Sequence, residues 1–247
     1  MSGHRWFVTL SCLLVGASAL LYFGHFLIFH DPHHIFIYMI GDIAFVPLEV
    51  LLVTIIIHRL LEGREKKTRL EKINMVIGVF FTELGTQLLE RLTPLYARGD
   101  KALDDLLSDI RGWDDERYTQ ALVSLKKISP RIRCAPSDLV ALDGLLREKK
   151  EVLVRLLENP NLLEHENFTE LLWSVTHVAE ELGARKDLHD LTETDVAHLS
   201  GDVNRAFAIL VREWVLYMGH LRKRYPYLFS FALRTNPFDA GASVEVT

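Results

Sequence analysis

Hydrophobic positions along this chain fall into two regimes. Over residues 6–57 they are nearly continuous, and beyond residue 58 they recur every three or four positions between charged ones. Trp6 to Phe29 is 24 residues long and has no Asp, Glu, Lys or Arg. Ile35 to Ile57 follows, 23 residues with two charges, Asp42 and Glu49. Each run is long and apolar enough to cross a bilayer as a helix, which takes about 20 residues. The rival for the first run is a cleaved signal peptide, because Arg5 precedes it and Ala17-Ser18-Ala19 has the small-x-small form. The apolar run continues well past that point through LLYFGHFLIF, so a retained span is expected.

The connector His30-Asp31-Pro32-His33-His34 carries a helix-breaking Asp-Pro pair, so the two spans should form an antiparallel hairpin. Lys and Arg are absent from that connector. Arg5 lies before the first span, and Arg59, Arg64, Lys66, Lys67, Arg69 and Lys72 follow the second. The positive-inside rule then puts both termini in the cytoplasm and the connector outside, with the plasma membrane as the location.

Past His58 the helical period takes over. Leu70, Ile73, Ile77, Phe80, Leu84 and Leu88 fall on one face, which predicts a stalk helix over 59–95, continuous with the second span and ended by Pro94. Gly78, Thr82 and Gly85 share one side of it and are candidates for a close helix crossing. A helical domain is expected over 96–235. Asp100 and Asp114 cap its first helices, Ser137 opens a long helix to Leu157, Asn167 opens one ending at Gly183, and Thr192 or Thr194 opens the last long helix, broken at Pro226. Residues 236–247 read as a flexible tail. No stretch alternates with period two. The expected fold is therefore all-α: a two-span transmembrane hairpin (1–58), then a cytoplasmic helical bundle.

Composition narrows the function by exclusion. The average of 49% hydrophobic residues and a mean hydropathy of +0.13 hide a membrane part and an ordinary soluble part. A net charge of −5 gives no reason to expect nucleic-acid binding. Two cysteines, Cys12 and Cys134, cannot build a disulfide framework. The phosphate-loop, dinucleotide, nucleophile-elbow and zincin motifs are all absent, and no motif ties the chain to a named family. No cofactor is expected, and an enzyme is not the expected reading.

Three groups of residues remain as candidates. Asp42 and Glu49 are seven apart, hence on one face of the second span, and an ionisable group at membrane depth is costly. They read either as hydrogen-bonding glue for the hairpin or an oligomer, or as an ion or proton path beside the kink expected at Pro47. His25, at a similar depth to Asp42 on the other leg, is a partner for it. Arg59, Arg64, Lys66 and Lys67 suit anionic lipid headgroups. His177 with Glu180 and Glu181, at i+3 and i+4, forms a weak metal-ligand set, with Glu170 and a buried-looking Glu83 as further carboxylates. The three histidines of the connector form another, and His198 adds nothing specific by position alone. The leading function is thus an integral membrane protein that self-associates through spans and stalk and presents its helical domain to a cytoplasmic partner. The alternative is a small oligomeric channel or proton-linked transporter lined by Asp42 and Glu49.

Overall fold

The computed structural model describes residues 2–97, 102–128, 131–160, 162 and 165–245, with the side chains of 2–5, 66–70 and 97 left out. Among these residues all the regular secondary structure is helical and no strand occurs. Two compact units divide the chain at Lys66/Lys67.

The first unit holds helix α1, Ser2–Phe29, and the start of helix α2, Pro32–Phe80. Both have segments long and apolar enough to cross a membrane, Trp6–Phe29 and Pro32–Glu65, and neither segment is buried by the rest of the chain. The connector is shorter than its composition suggested. Only His30 and Asp31 lie outside helix. His30 takes a positive φ of 51°, a conformation histidine tolerates better than most side chains, and this reverses the chain. Asp31 Oδ1 then accepts from the backbone N–H groups of His33 (3.0 Å) and His34 (3.2 Å). Pro32 occupies the first helical position, where its missing N–H is not needed. The Asp-Pro pair is therefore the start signal of α2.

The second unit is a bundle around its longest helix, α9, Glu193–Arg224. Thr192 caps α9, its Oγ1 accepting from Asp195 N–H at 3.2 Å. Leu199, Val203, Phe207, Leu210, Trp214 and Met218 run along its buried face at three- and four-residue spacing. Helix α8, Glu166–Gly183, packs against it with Phe168, Leu171, Leu172, Val175, Val178 and Leu182. Around this pair lie α5 (Asp115–Leu125), α6 (Pro136–Glu148), α7 (Lys150–Leu157) and α10 (Pro226–Arg234). Helix α4 is a short Ala102–Leu107 segment, followed by a 3₁₀ turn at Ile110–Gly112. Asp100 lies outside the described residues. Asp114 caps α5 as expected, accepting from Arg117 N–H at 2.8 Å.

Several expectations need correcting. From Ile73 onward the segment read as a stalk is core: Ile73, Ile77, Phe80, Phe81, Leu84, Leu88, Leu89 and Leu92 are all buried. It is also interrupted. A π-helical turn, Phe81–Gly85, separates α2 from helix α3, Thr86–Ala97, and Pro94 lies inside α3. The long helix expected from Ser137 to Leu157 breaks at Lys149 (φ −94°, ψ 9°) into α6 and α7. Asp138 caps α6 by accepting from Ala135 N–H at 2.8 Å, with Pro136 at the first position. His165, not Asn167, caps α8: its Nδ1 accepts from Phe168 N–H at 3.2 Å. The tail is anchored. Asn236 is buried and donates to the carbonyls of Leu107 (3.0 Å) and Ser108 (3.3 Å), and Phe238 packs on Trp214.

Candidate functional site

Among the described residues, a connected group of polar side chains lies where α8 meets α9. Successive contacts pair Arg185 with Asp195, Glu181 with His198, and His177 with Asp202. As the number falls on α8 it rises on α9, so the two helices are antiparallel here. One helical turn separates His177 from Glu181, and another separates His198 from Asp202, so each helix presents a histidine and an acid on a single face.

Asp202 is the centre of the group. It is 4% exposed, unusual for an aspartate on a helix. Its Oδ1 meets Arg205 Nη1 at 3.2 Å. Its Oδ2 lies 3.5 Å from His177 Nε2 and 3.5 Å from His198 Nε2, and has no hydrogen-bond partner. Glu181 Oε2 approaches His198 Nε2 to 3.6 Å and accepts from Arg185 Nη1 at 2.8 Å. Arg185 in turn grips both oxygens of Asp195, at 3.1 and 2.7 Å. These hydrogen bonds from the Arg185 guanidinium hold the Glu181 and Asp195 carboxyls below the usual carboxylate range, and the paired carboxylates push the guanidinium up. Glu181 is therefore ionised at neutral pH. Both imidazoles reach solvent, with side chains 44% and 57% exposed.

Of the residues singled out by sequence, His177 and Glu181 enter this group. Glu180 does not: it is exposed on another side of α8, lining a groove with Arg147, Lys150 and Thr176. Glu83 is exposed, not buried, and Glu170 is exposed too. His198 and Asp202 were missed. The spacing His-x-x-x-acid marks both pairs, His177–Glu181 and His198–Asp202, but it also occurs at His58–Glu62 and His189–Glu193, so by itself it does not single them out. That the copies face one another depends on the α8–α9 hairpin, which spacing does not reveal.

The other candidates fall elsewhere. Gly78 lines a groove of about 310 Å³ with Met75, Val79, Thr82, Tyr217 and Leu228, and a Cβ there would touch the Tyr217 ring at an ordinary 3.8 Å. Gly85 is needed for a different reason than a helix crossing. A Cβ on it would come within 2.7 Å of the rings of Phe80 and Phe81, which the π-turn folds back over it. In the first unit, the His25 ring lies against Phe29 and, at 6.2 Å, stacks on His34, so the expected His25–Asp42 pair is not formed. Asp42 and Glu49 are exposed on α2 with no partner among the described residues. Arg59 and Arg64 are exposed, and the side chains of Lys66 and Lys67 lie outside the described residues.

Two apolar helices followed by an all-helical bundle define a class of protein in which an N-terminal helical pair carries a larger helical domain. Residues 2–61 match the family described as MJ1433, N-terminal helical domain, and residues 69–234 match the C-terminal helical domain of uncharacterized protein MJ1433. The chain belongs to the MJ1433 family. It is 43% identical over 240 residues to uncharacterized protein MJ1433 of Methanocaldococcus jannaschii, covering 97% of this chain and 96% of that one. No solved structure matches. The junction between the two matches brackets the boundary between the compact units.

Proposed function

We propose that this is a non-enzymatic integral membrane protein of the plasma membrane that self-associates through its spans and presents the α3–α10 bundle to a cytoplasmic protein partner. The observation that carries the reading is the exposure of α1 and of α2 up to Glu65: two apolar segments, Trp6–Phe29 and Pro32–Glu65, that are not buried within the chain. Apolar area on that scale in water would drive aggregation, and lipid covers it without further protein. Self-association is supported by Asp42 and Glu49. Both are without a partner among the described residues, and acids at membrane depth are satisfied by neighbouring helices. The exposed Arg59 and Arg64 at the end of the second span suit anionic headgroups.

Topology is tested by cysteine accessibility in a Cys12→Ser background. Cys134 is buried, so its thiol reports nothing and can stay. His33→Cys should react with an impermeant thiol reagent in intact cells, and Glu170→Cys only after permeabilisation. The reverse pattern, or recovery of the chain in the soluble fraction, would refute the reading. The channel or transporter alternative rests on the same two acids and is separated by flux. Under the leading reading, proteoliposomes show none, Glu49→Gln assembles normally, and Glu49→Ala loses roughly 1 kcal/mol of association per contact. Proton or cation flux in wild type, abolished by Glu49→Gln with assembly intact, would favour the alternative.

A further inference from the structure

We propose that the α8–α9 hairpin binds one first-row divalent cation of the zinc class, held by Glu181, His198 and Asp202, with His177 as the fourth donor. The ligand atoms of Glu181, His198 and Asp202 all lie within 4.8 Å of one another. Two imidazoles and two carboxylates make a mixed nitrogen–oxygen donor set, which suits zinc and its first-row neighbours better than calcium or magnesium. The spacing fits as well. Bonds of about 2.1 Å to a tetrahedral centre place neighbouring donors about 3.4 Å apart. The observed separations are 3.5 Å for each imidazole to Asp202 Oδ2 and 3.6 Å for His198 to Glu181.

Asp202 supplies the independent observation. It is 4% exposed, and its Oδ2 points between the two imidazoles with no hydrogen bond to either. A buried carboxylate oxygen left unpaired is expensive, and a cation on that lone pair satisfies it. The neighbouring residues hold the donors in place. Arg205 fixes the other oxygen of Asp202, and Arg185, itself anchored on Asp195, fixes Glu181. Outer contacts of this kind orient metal ligands. Three carboxylates (Glu181, Asp195, Asp202) against two guanidiniums (Arg185, Arg205) leave one net negative charge, so the group can accept a dication. The role this arrangement suits is a clamp. The ion would cross-link α8 to α9 beside the loop that joins them, and so fix one end of the bundle's central helix pair.

The test is calorimetric titration of Zn²⁺ into the detergent-purified full chain after chelator treatment, with Co²⁺ absorption as a geometry probe. The expected result is one equivalent lost in His198→Ala, with the visible bands of low-symmetry Co²⁺ lost alongside it. Affinity should fall by more than the roughly 10–100-fold that loss of an outer contact costs. His198 is exposed on a regular helix, so its removal leaves folding intact, and Asp202→Asn gives a second variant of nearly the same shape. The double variant His33→Ala/His34→Ala separates this site from the histidines of the connector, and it should keep the equivalent. Absence of binding in wild type, retention of the full stoichiometry in both His198→Ala and Asp202→Asn, or loss only in the connector variant would each overturn the proposal.

Discussion

Glu213 allows a quantitative test of the bundle's core. It lies on the buried side of α9 at 1% exposure, and its Oε1 has no hydrogen-bond partner. Burial pushes its carboxyl up to about 7, against a weaker opposing pull from Arg212, whereas the ordinary value is 4.5. The folded chain thus holds this proton more tightly than the unfolded chain. Stability from the neutral acid is fully present below about pH 4.5 and is lost as pH rises through about 7. Each unit is worth about 1.4 kcal/mol, so the loss across that window is roughly 3 kcal/mol. Glu213→Gln keeps the shape and cannot ionise. Relative to wild type, it should gain roughly 3 kcal/mol of stability between pH 4.5 and pH 8. His165 and His220 complicate the absolute profile. Burial lowers both imidazoles, so their contribution has the opposite sign and is lost as pH falls below about 6.5. It is common to both chains and cancels in the difference. The assay is denaturant unfolding in non-ionic detergent at each pH, followed by emission of the adjacent buried Trp214. Parallel pH profiles for the two chains would refute the reasoning.

Other substitutions probe the packing. Gly85→Ala drives a Cβ into the rings of Phe80 and Phe81; strain of about 1–3 kcal/mol outweighs a propensity gain of up to about 1, so a thermal melt should show net destabilisation. Gly144→Ala, in α6 with open space around it, should instead stabilise by about 0.5–1 kcal/mol in the same melt. Asn236→Ala leaves the carbonyl of Leu107 without its donor and should cost about 1–3 kcal/mol in denaturant unfolding, with faster proteolysis of the C-terminal segment. Asp114→Ala removes the cap of α5 and should cost about 1 kcal/mol by the same unfolding measurement.

Local chemistry was legible in the sequence. The two apolar runs, the helical period beyond them, and the caps at Asp114 and Thr192 each depend on residues within a few positions of one another, so one chain without neighbours suffices to read them. The same locality explains the near misses. At α6 the start was read at Ser137, but Pro136 takes the first helical position and the cap is supplied from inside the helix by Asp138. At α8 a histidine ring does what an asparagine two residues on was expected to do.

What required the tertiary structure is where distant segments meet. The face carrying Ile73, Ile77 and Phe80 has the same period whether it belongs to an exposed stalk or a core, and only burial against the bundle distinguishes them. Asn236 looks like any polar residue near a terminus until α4 brings the carbonyl of Leu107 to it. His177, Glu181, His198 and Asp202 are ordinary helix-surface residues in sequence. They become one charged group because the α8–α9 hairpin sets two four-residue spacings face to face, and in doing so buries an aspartate that periodicity alone would leave in water.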